Sequence, residues 1–180
     1  MATFQRQILT GCGRRDGAQV HEAVHTMMHL HRRNTNASLF APAARIERLY
    51  DAMTGWELEN VAPRFMLNES ARLTWDRVQP FDNLRVEDHQ GLIIPGGIGI
   101  FPKRQSDLVR MNRFLVAGER MGATLVYQNI FRVLHDTNYH IYSSPSVLTM
   151  ASPPERIYYN ISQGIGNLVD QMVQSLGDNE

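Results

Sequence analysis

An α/β fold on a mostly parallel sheet is predicted by three features of this 180-residue sequence. Leu92, Ile93 and Ile94 run into Pro95, which cannot donate a ladder hydrogen bond, and Gly96, Gly97 and Gly99 follow. That pattern reads as a buried parallel strand ending in a turn at its carboxyl end. A strand, a glycine turn, a helix and a second strand fall within about 40 residues near the start, which makes a βαβ unit. The third feature is a long amphipathic helix that closes the chain.

In chain order, residues 4–10 read as a strand with apolar Ile8 and Leu9, stopped by Gly11, Cys12 and Gly13. Asp16 and Gly17 open a helix over 18–32, with Val20, Ala23, Val24, Met27 and Leu30 at helical spacing. Asn34, Thr35 and Asn36 end it, and residues 37–43 form the second strand. Residues 45–56 read as a short helical or loop excursion, and 69–73 is too short to assign. Residues 79–89 are polar, carry Pro80 and read as a surface connection to the central strand. Beyond the glycines, Ser106 is a good N-cap for a helix over 107–120, inward at Leu108, Met111, Leu115 and Val116 and stopped by Gly122. Residues 123–127 and 139–143 are further buried strands. The closing helix over 155–176 has the cleanest stripe in the chain: Ile157, Ile161, Ile165, Leu168, Met172 and Leu176. A single domain over 1–176 with a loose tail at 177–180 is expected, without repeats or low-complexity segments.

Composition excludes several classes. Formal net charge is zero, which gives no signal for nucleic acid or an anionic membrane. Lys103 is the single lysine, and arginine otherwise carries the positive charge. Cys12 is the only cysteine, so no internal disulfide forms and a reducing compartment fits. No apolar run approaches the roughly 18–20 residues of a membrane span, and no cleavable presequence is visible before the first strand.

Several segments occur together in one order: Gly11-Cys12-Gly13, Asp16-Gly17, His21-Glu22-Ala23-Val24, Ala41-Pro42, Asn68-Glu69-Ser70-Ala71-Arg72-Leu73, Pro95-Gly96-Gly97, Ser144-Pro145 and Gly164-Ile165-Gly166-Asn167-Leu168-Val169. In this the chain resembles the ElbB-type branch of the PfpI/ThiJ, or class I glutamine-amidotransferase-like, superfamily, over nearly its whole length. The resemblance implies a flavodoxin-like three-layer sandwich. It also implies a cysteine nucleophile on a strained elbow, a glutamate from the first helix beside it, and a Pro-Gly-Gly turn supplying backbone donors. Glu22 matches that glutamate, and Gly96 and Gly97 match the donor turn. Where relatives carry the elbow cysteine, this chain has Gln128 or Asn129, and neither amide is a nucleophile. Between Asn129 and Tyr139 about nine residues stand where relatives have a helix and a strand, which average about 11 and 5 residues. The sandwich is therefore expected to be truncated after the elbow strand.

Cys12 admits two readings, a replacement nucleophile whose pKa Arg14 and Arg15 can lower, or a packed inert thiol. His21, His25 and His29 share one helix face; they read as a polar or contact face, since a zinc site needs three or four ligands. His135 and His140 have no recognisable partners in sequence. No cofactor is implied. The reading is a catalytically inactive relative acting as a structural or accessory subunit of a larger mitochondrial assembly, a respiratory complex or mitoribosome. Its protein partners are expected to contact Ile130, Phe131, Val133 and Leu134, unless the closing helix shifts over them. The mitochondrial setting rests on the resemblance, with the cytoplasm as runner-up. The alternative is a glyoxalase- or hydrolase-like enzyme using Cys12 or Glu22, and a small-ligand sensor built on the Pro-Gly-Gly pocket is a third reading.

Overall fold

The parallel sheet forms where the sequence places its βαβ unit. The computed structural model describes residues 4–13, 16–75, 78–88, 90–97, 131–144 and 154–177, with positions 122, 124, 126 and 129 singly. In chain order its elements are β1 (Phe4–Ile8), α1 (Val20–Arg32), β2 (Asn36–Ala41), β3 (Leu49–Tyr50), β4 (Glu57–Leu58), α2 (Met66–Thr74), β5 (Val78–Pro80), β6 (Gly91–Ile93), β7 (Leu134–Asp136), β8 (Ile141–Ser143) and α3 (Pro154–Gly177). Outside the described residues lie the expected helix over 107–120 with its Ser106 cap, most of the strand over 123–127, and residues 178–180.

The main sheet has the order β5-β2-β1-β6, and every pairing is parallel. Leu39, Phe40 and Ala41 are buried in succession along β2, as a parallel strand covered on both faces requires. The chain steps from β1 to β2 to β5 on one side and then returns to place β6 on the other. Strand order therefore reverses between β1 and β6. Their carboxyl ends emerge side by side, since Gln7 lies opposite Ile93. Open α/β sheets place their crevice at such a point.

Sequence pattern misplaced several pieces. Instead of a surface connection alone, residues 79–89 begin in β5, and 3-10 turns at Phe81–Asn83 and Val86–Asp88 follow. Pro80 is tolerated because β5 is the outer strand beside β2. Helix α2 occupies the unassigned 69–73 and starts without a side-chain cap at Phe65, so no local start signal marks it. The excursion over 45–56 holds β3, which pairs antiparallel with β4. Asp51 Oδ1 shapes the turn between them, accepting the Met53 and Thr54 N–H groups and the Thr54 hydroxyl at 2.7–3.1 Å. The strand expected over 139–143 is not a buried member of the main sheet. It is β8, the partner of β7 in a separate antiparallel hairpin, with Ile141 exposed and Tyr142 packed inward. Only Ile93 of the apolar run is buried, while Leu92 and Ile94 are exposed.

Two clusters hold the elements together. Leu9, Ala18, Ala23 and Ala41 pack with Leu67, Leu73 and Val78. Leu30, Ile93, Val169 and Met172 pack with Tyr142, Ile165, Leu168 and Val173. The face of α1 turned inward differs from the expected stripe. Glu22, Ala23, Thr26 and Leu30 are buried, whereas Val24 is exposed. The two polar residues tolerate burial because each is bonded: Thr26 Oγ1 donates to Glu22 O at 2.7 Å, and Glu22 faces a backbone N–H described below. Gln7, fully buried on β1, donates from Nε2 to Ala23 O at 3.1 Å and ties strand to helix. Among the described residues no helix is long and apolar enough to cross a membrane.

Leu30 is 1% exposed between α1, β6 and α3. Leu30→Ala is expected to cost about 2–5 kcal/mol in urea denaturation, the transfer free energy of the lost methyls plus the cavity they leave. A loss below about 1 kcal/mol would remove Leu30 from the core.

Candidate functional site

Three backbone segments converge at the switch point: residues 11–13 after β1, 16–19 before α1, and 95–97 after β6. Cys12 bridges to Ala18, and Ala18 N–H donates to Gly11 O at 3.3 Å. Gln19 N–H donates to Gly96 O at 2.8 Å, joining the third segment. The approach excludes side chains. A Cβ on Gly17 would stand 2.4 Å from Cys12 N, and one on Gly97 would stand 2.6 Å from Gly17 O. Gly97 also has φ +140°, which strongly favours glycine.

Glu22 sits above this junction in the first turn of α1. Its Oε2 accepts the Gly96 N–H at 2.7 Å, and its own N–H donates to Gln19 Oε1 at 2.8 Å. Gln19 is the N-cap, and its spacing to Glu22 is that of a capping box with glutamine in the serine's place. An acidic residue here also suits the positive end of the helix dipole. Glu22, which the resemblance matches to the family glutamate, thus bonds the Gly96 N–H of the turn after β6. Gln19 escaped the sequence reading, although the glutamate three residues on was an available signal. Thr10 was missed as well; its Oγ1 is buried near the end of β1 with no hydrogen-bond partner among the described residues.

Cys12 is half-buried and its thiol is pushed up in pKa, first by burial, then by the charges of Glu69 and Asp16, with Arg72 opposing. The arginines expected to help it, Arg14 and Arg15, lie outside the described residues. Asp16 is buried and accepts the Tyr50 N–H at 3.1 Å. Glu69 faces Arg64 at 3.9 Å and Arg72 at 3.5 Å, while fully buried Ser70 accepts the Gly11 N–H at 2.9 Å. The Asn68–Arg72 run thus braces the first glycine turn.

Gln128 and Ile130 lie outside the described residues, and Asn129 is exposed. The connector is not without neighbours. Phe131 O accepts from Asn167 Nδ2 of α3 at 2.7 Å, Phe131 N–H donates to Asn129 Oδ1 at 3.0 Å, and Val133 and Leu134 are half-buried. The closing helix reaches this segment through Asn167. His135 stacks on Tyr142 with ring centroids 4.1 Å apart and has His140 at 6.3 Å, so both have partners that the sequence did not reveal.

The face carrying His21, His25 and His29 lies against α3. The His21 ring is 4.4 Å from that of Tyr158, His29 Nε2 is 3.3 Å from Ser162 Oγ, and buried His25 Nδ1 has no hydrogen-bond partner among the described residues. Among the described residues no three His, Cys, Asp or Glu side chains are placed to hold a metal. Burial lowers the pKa of all three histidines, and the charges of His29 and His21 lower that of His25 further.

No protein-family model matches the sequence. The mitochondrial glutamine amidotransferase-like class 1 domain-containing protein 3 of Homo sapiens is 35% identical over 92 residues, 51% of this chain and 34% of that protein. The mitochondrial ES1 protein homolog of Rattus norvegicus is 34% identical over 92 residues, again 51% of this chain and 34% of its own. The mitochondrial ES1 protein of Danio rerio is 32% identical over 97 residues, 52% of this chain and 36% of its own. The chain thus matches about a third of the length of these curated relatives. The crystal structure of an isoprenoid biosynthesis protein with an amidotransferase-like domain from Ehrlichia chaffeensis aligns with a TM-score of 0.81 at 25% identity, covering 97% of this chain and 100% of that one. The architecture is accordingly the expected one, a flavodoxin-like α/β fold of amidotransferase-like type with a mostly parallel central sheet and flanking helices.

Two expectations follow from this geometry. Gly97→Ala should cost more stability than Gly96→Ala, because its Cβ meets backbone at Gly17 and Gln19 while that of Gly96 meets the movable Glu22 carboxyl at 2.4 Å. Gly97→Ala should lose a few kcal/mol and Gly96→Ala about 1 kcal/mol in chemical denaturation; the reverse order would refute the stacked-backbone junction. The histidines should make the fold acid-sensitive. Their folded pKa values lie below those of the unfolded chain, near 6.5, so their contribution is fully present above that pH and is lost as pH falls towards the folded values. The melting temperature is expected to fall on acidification from about pH 7 to about pH 5, and His25→Gln to flatten that slope; an unchanged slope would place the acid sensitivity elsewhere.

Proposed function

The homologues of this chain are glutamine amidotransferase-like class 1 domain proteins, and from that premise we propose that it uses their fold without covalent catalysis, as a structural or accessory subunit of a larger mitochondrial assembly such as a respiratory complex or mitoribosome. The observation that carries this reading is the bond from Gly96 N–H to Glu22 Oε2. An oxyanion hole needs backbone donors aimed at empty space where charge develops. Here one donor of the glycine turn is engaged by a carboxyl oxygen, and an oxyanion placed there would face that oxygen at close range. The chemistry of the remaining groups points the same way. By the resemblance, Gln128 or Asn129 stands in the elbow nucleophile's place, and neither amide is a nucleophile. The raised pKa of Cys12 keeps its thiol protonated and weakly nucleophilic at neutral pH.

Association is supported by the aromatic surface. Both tryptophans of the chain are turned outward, Trp56 at 77% and Trp75 at 96% exposed, and Met53 stands beside Trp56 in the β3–β4 turn region at 92%. Tryptophan is enriched at protein interfaces and in their hot spots. Phe131 is also exposed, at 39%, whereas Val133 and Leu134 are more covered than the sequence suggested. The mitochondrial setting is supported by the relatives named above, which are mitochondrial proteins.

The test has a catalytic arm and an association arm. Purified protein incubated with methylglyoxal or glutamine should show no turnover above buffer, and neither should its Gln128→Cys and Asn129→Cys variants, because catalysis needs a positioned nucleophile rather than a thiol alone. Turnover abolished by Cys12→Ser or Glu22→Gln would establish a glyoxalase- or hydrolase-like enzyme instead. Cross-linking mass spectrometry on mitochondria expressing the chain should recover defined partner subunits. Trp56→Asp and Trp75→Asp should leave the fold intact, by circular dichroism, while depleting those cross-links.

A further inference from the structure

Away from the switch point, a crevice of about 350 Å3 opens between the last turn of α1 and the middle of α3. Its walls are His29, Arg32, Arg33, Gln163, Asn167 and Asp170. We propose that this crevice is a binding site for an anionic oxygen group, the phosphate or carboxylate of a small molecule.

Two guanidinium groups face one carboxylate there, so the crevice carries an excess of positive charge. Arg33 forms an ion pair with Asp170, which fixes its guanidinium on the crevice wall. A guanidinium has five N–H donors and a single carboxylate accepts at most two in the bidentate arrangement, so donors remain for a ligand. Arg32 is exposed and has no acidic partner among the described residues. Opposite the arginines stand two carboxamides, Gln163 and Asn167, and the bond from Asn167 Nδ2 to Phe131 O holds the second in place. Planar guanidinium forks with flanking amide donors match the geometry of carboxylate and phosphate oxygens.

A helix carboxyl end carries partial negative charge, which would oppose an anion. In α1 the carbonyls of His29, Leu30 and His31 are already engaged. Arg33 N–H donates to His29 O and Leu30 O, Asn34 N–H to His31 O, and Thr35 N–H to Leu30 O, at 3.0–3.2 Å. Cations at such an end also suit the dipole on their own account, but that effect explains neither the concavity nor the amides facing it from α3. Gly166 contributes to the shape: a Cβ there would lie 2.7 Å from His29 Cε1, so glycine lets the imidazole lie against α3. Nothing in this assignment depends on the junction of Glu22 and Gly96.

The experiment is a titration of the full chain with inorganic phosphate and, separately, with succinate, followed by two-dimensional NMR and calorimetry. Ionic strength is held constant with sodium chloride, because screening alone shifts surface charges. Saturable binding of either probe to one site, with shifts concentrated at the Gln163 and Asn167 side-chain amides, is expected. Phosphate saturating alone assigns a phosphoryl ligand and succinate alone a carboxylate. Arg32→Glu should weaken the binding at least tenfold, while Arg85→Glu, the same change of charge at another exposed arginine, should leave it unchanged. The proposal fails if neither probe saturates above the chloride control, or if Arg32→Glu binds like the parent chain.

Discussion

Backbone packed on backbone, with no Cβ between, is the constraint from which the rest of this structure follows. Gly17 lies against Cys12, and Gly97 lies against Gly17 and Gln19, at separations no side chain could share. Three segments far apart in sequence are thereby brought to one point at the carboxyl ends of β1 and β6. The Gly96 carbonyl and N–H then fix the first turn of α1 through Gln19 N–H and the Glu22 carboxyl. A helix anchored at its amino end in this way has its rotation constrained by hydrogen bonds as well as by apolar contacts. That explains why α1 buries Glu22 and Thr26 and exposes Val24, against its hydrophobic stripe. Leaving the Gly96 N–H unbonded would cost about 1–3 kcal/mol, comparable to the roughly 1.5–3 kcal/mol of turning a buried valine outward.

The same rotation decides what α3 meets. With Glu22 turned to the junction, the adjoining face of α1 presents His21, His25 and His29 to α3, where Tyr158, Ser162 and Gly166 receive them. An interface of neutral imidazoles packs well only while they stay neutral, and burial favours that state. Beside them, Leu30, Val169 and Met172 form an apolar contact, and Ile93 of β6 closes the cluster. The histidine face and the apolar contact therefore run side by side along the helix pair, with the charged crevice at the carboxyl end of α1.

Legibility in the sequence followed the source of each signal. β1, α1, β2 and β6 were readable because periodicity, glycine punctuation and the βαβ spacing all agree there, and α3 because its 24 residues keep one stripe. β5 and α2 were not. Pro80 argues against a strand unless the strand is known to be an edge, and α2 begins without a capping side chain. The β7–β8 hairpin was taken for sheet because an apolar run of three residues does not say which strand it will pair with. At the site, Glu22 and the glycine turn were legible through resemblance. Thr10 and Ser70 were not, since a lone hydroxyl gives no pattern. Ser70 shows the difference well: the Asn68–Arg72 run was recognisable, but its task of bonding the Gly11 N–H depends on a contact 59 residues away.

The retention of Glu22 invites a catalytic interpretation, and the geometry argues for a structural one. A carboxyl beside a glycine turn is what thiol chemistry would require, yet the same two groups are what the fold requires. The carboxyl lies 8% exposed, supplies the acceptor for Gly96, and occupies the first turn of α1, where its charge is favoured. Charge-assisted hydrogen bonds contribute about 1.5–3 kcal/mol, a large share of the 5–15 kcal/mol by which a typical domain is stable. If the proposed reading holds, selection for stability alone would still keep Glu22 and Gly97, because the carboxyl and the glycine serve the fold whatever chemistry the site performs.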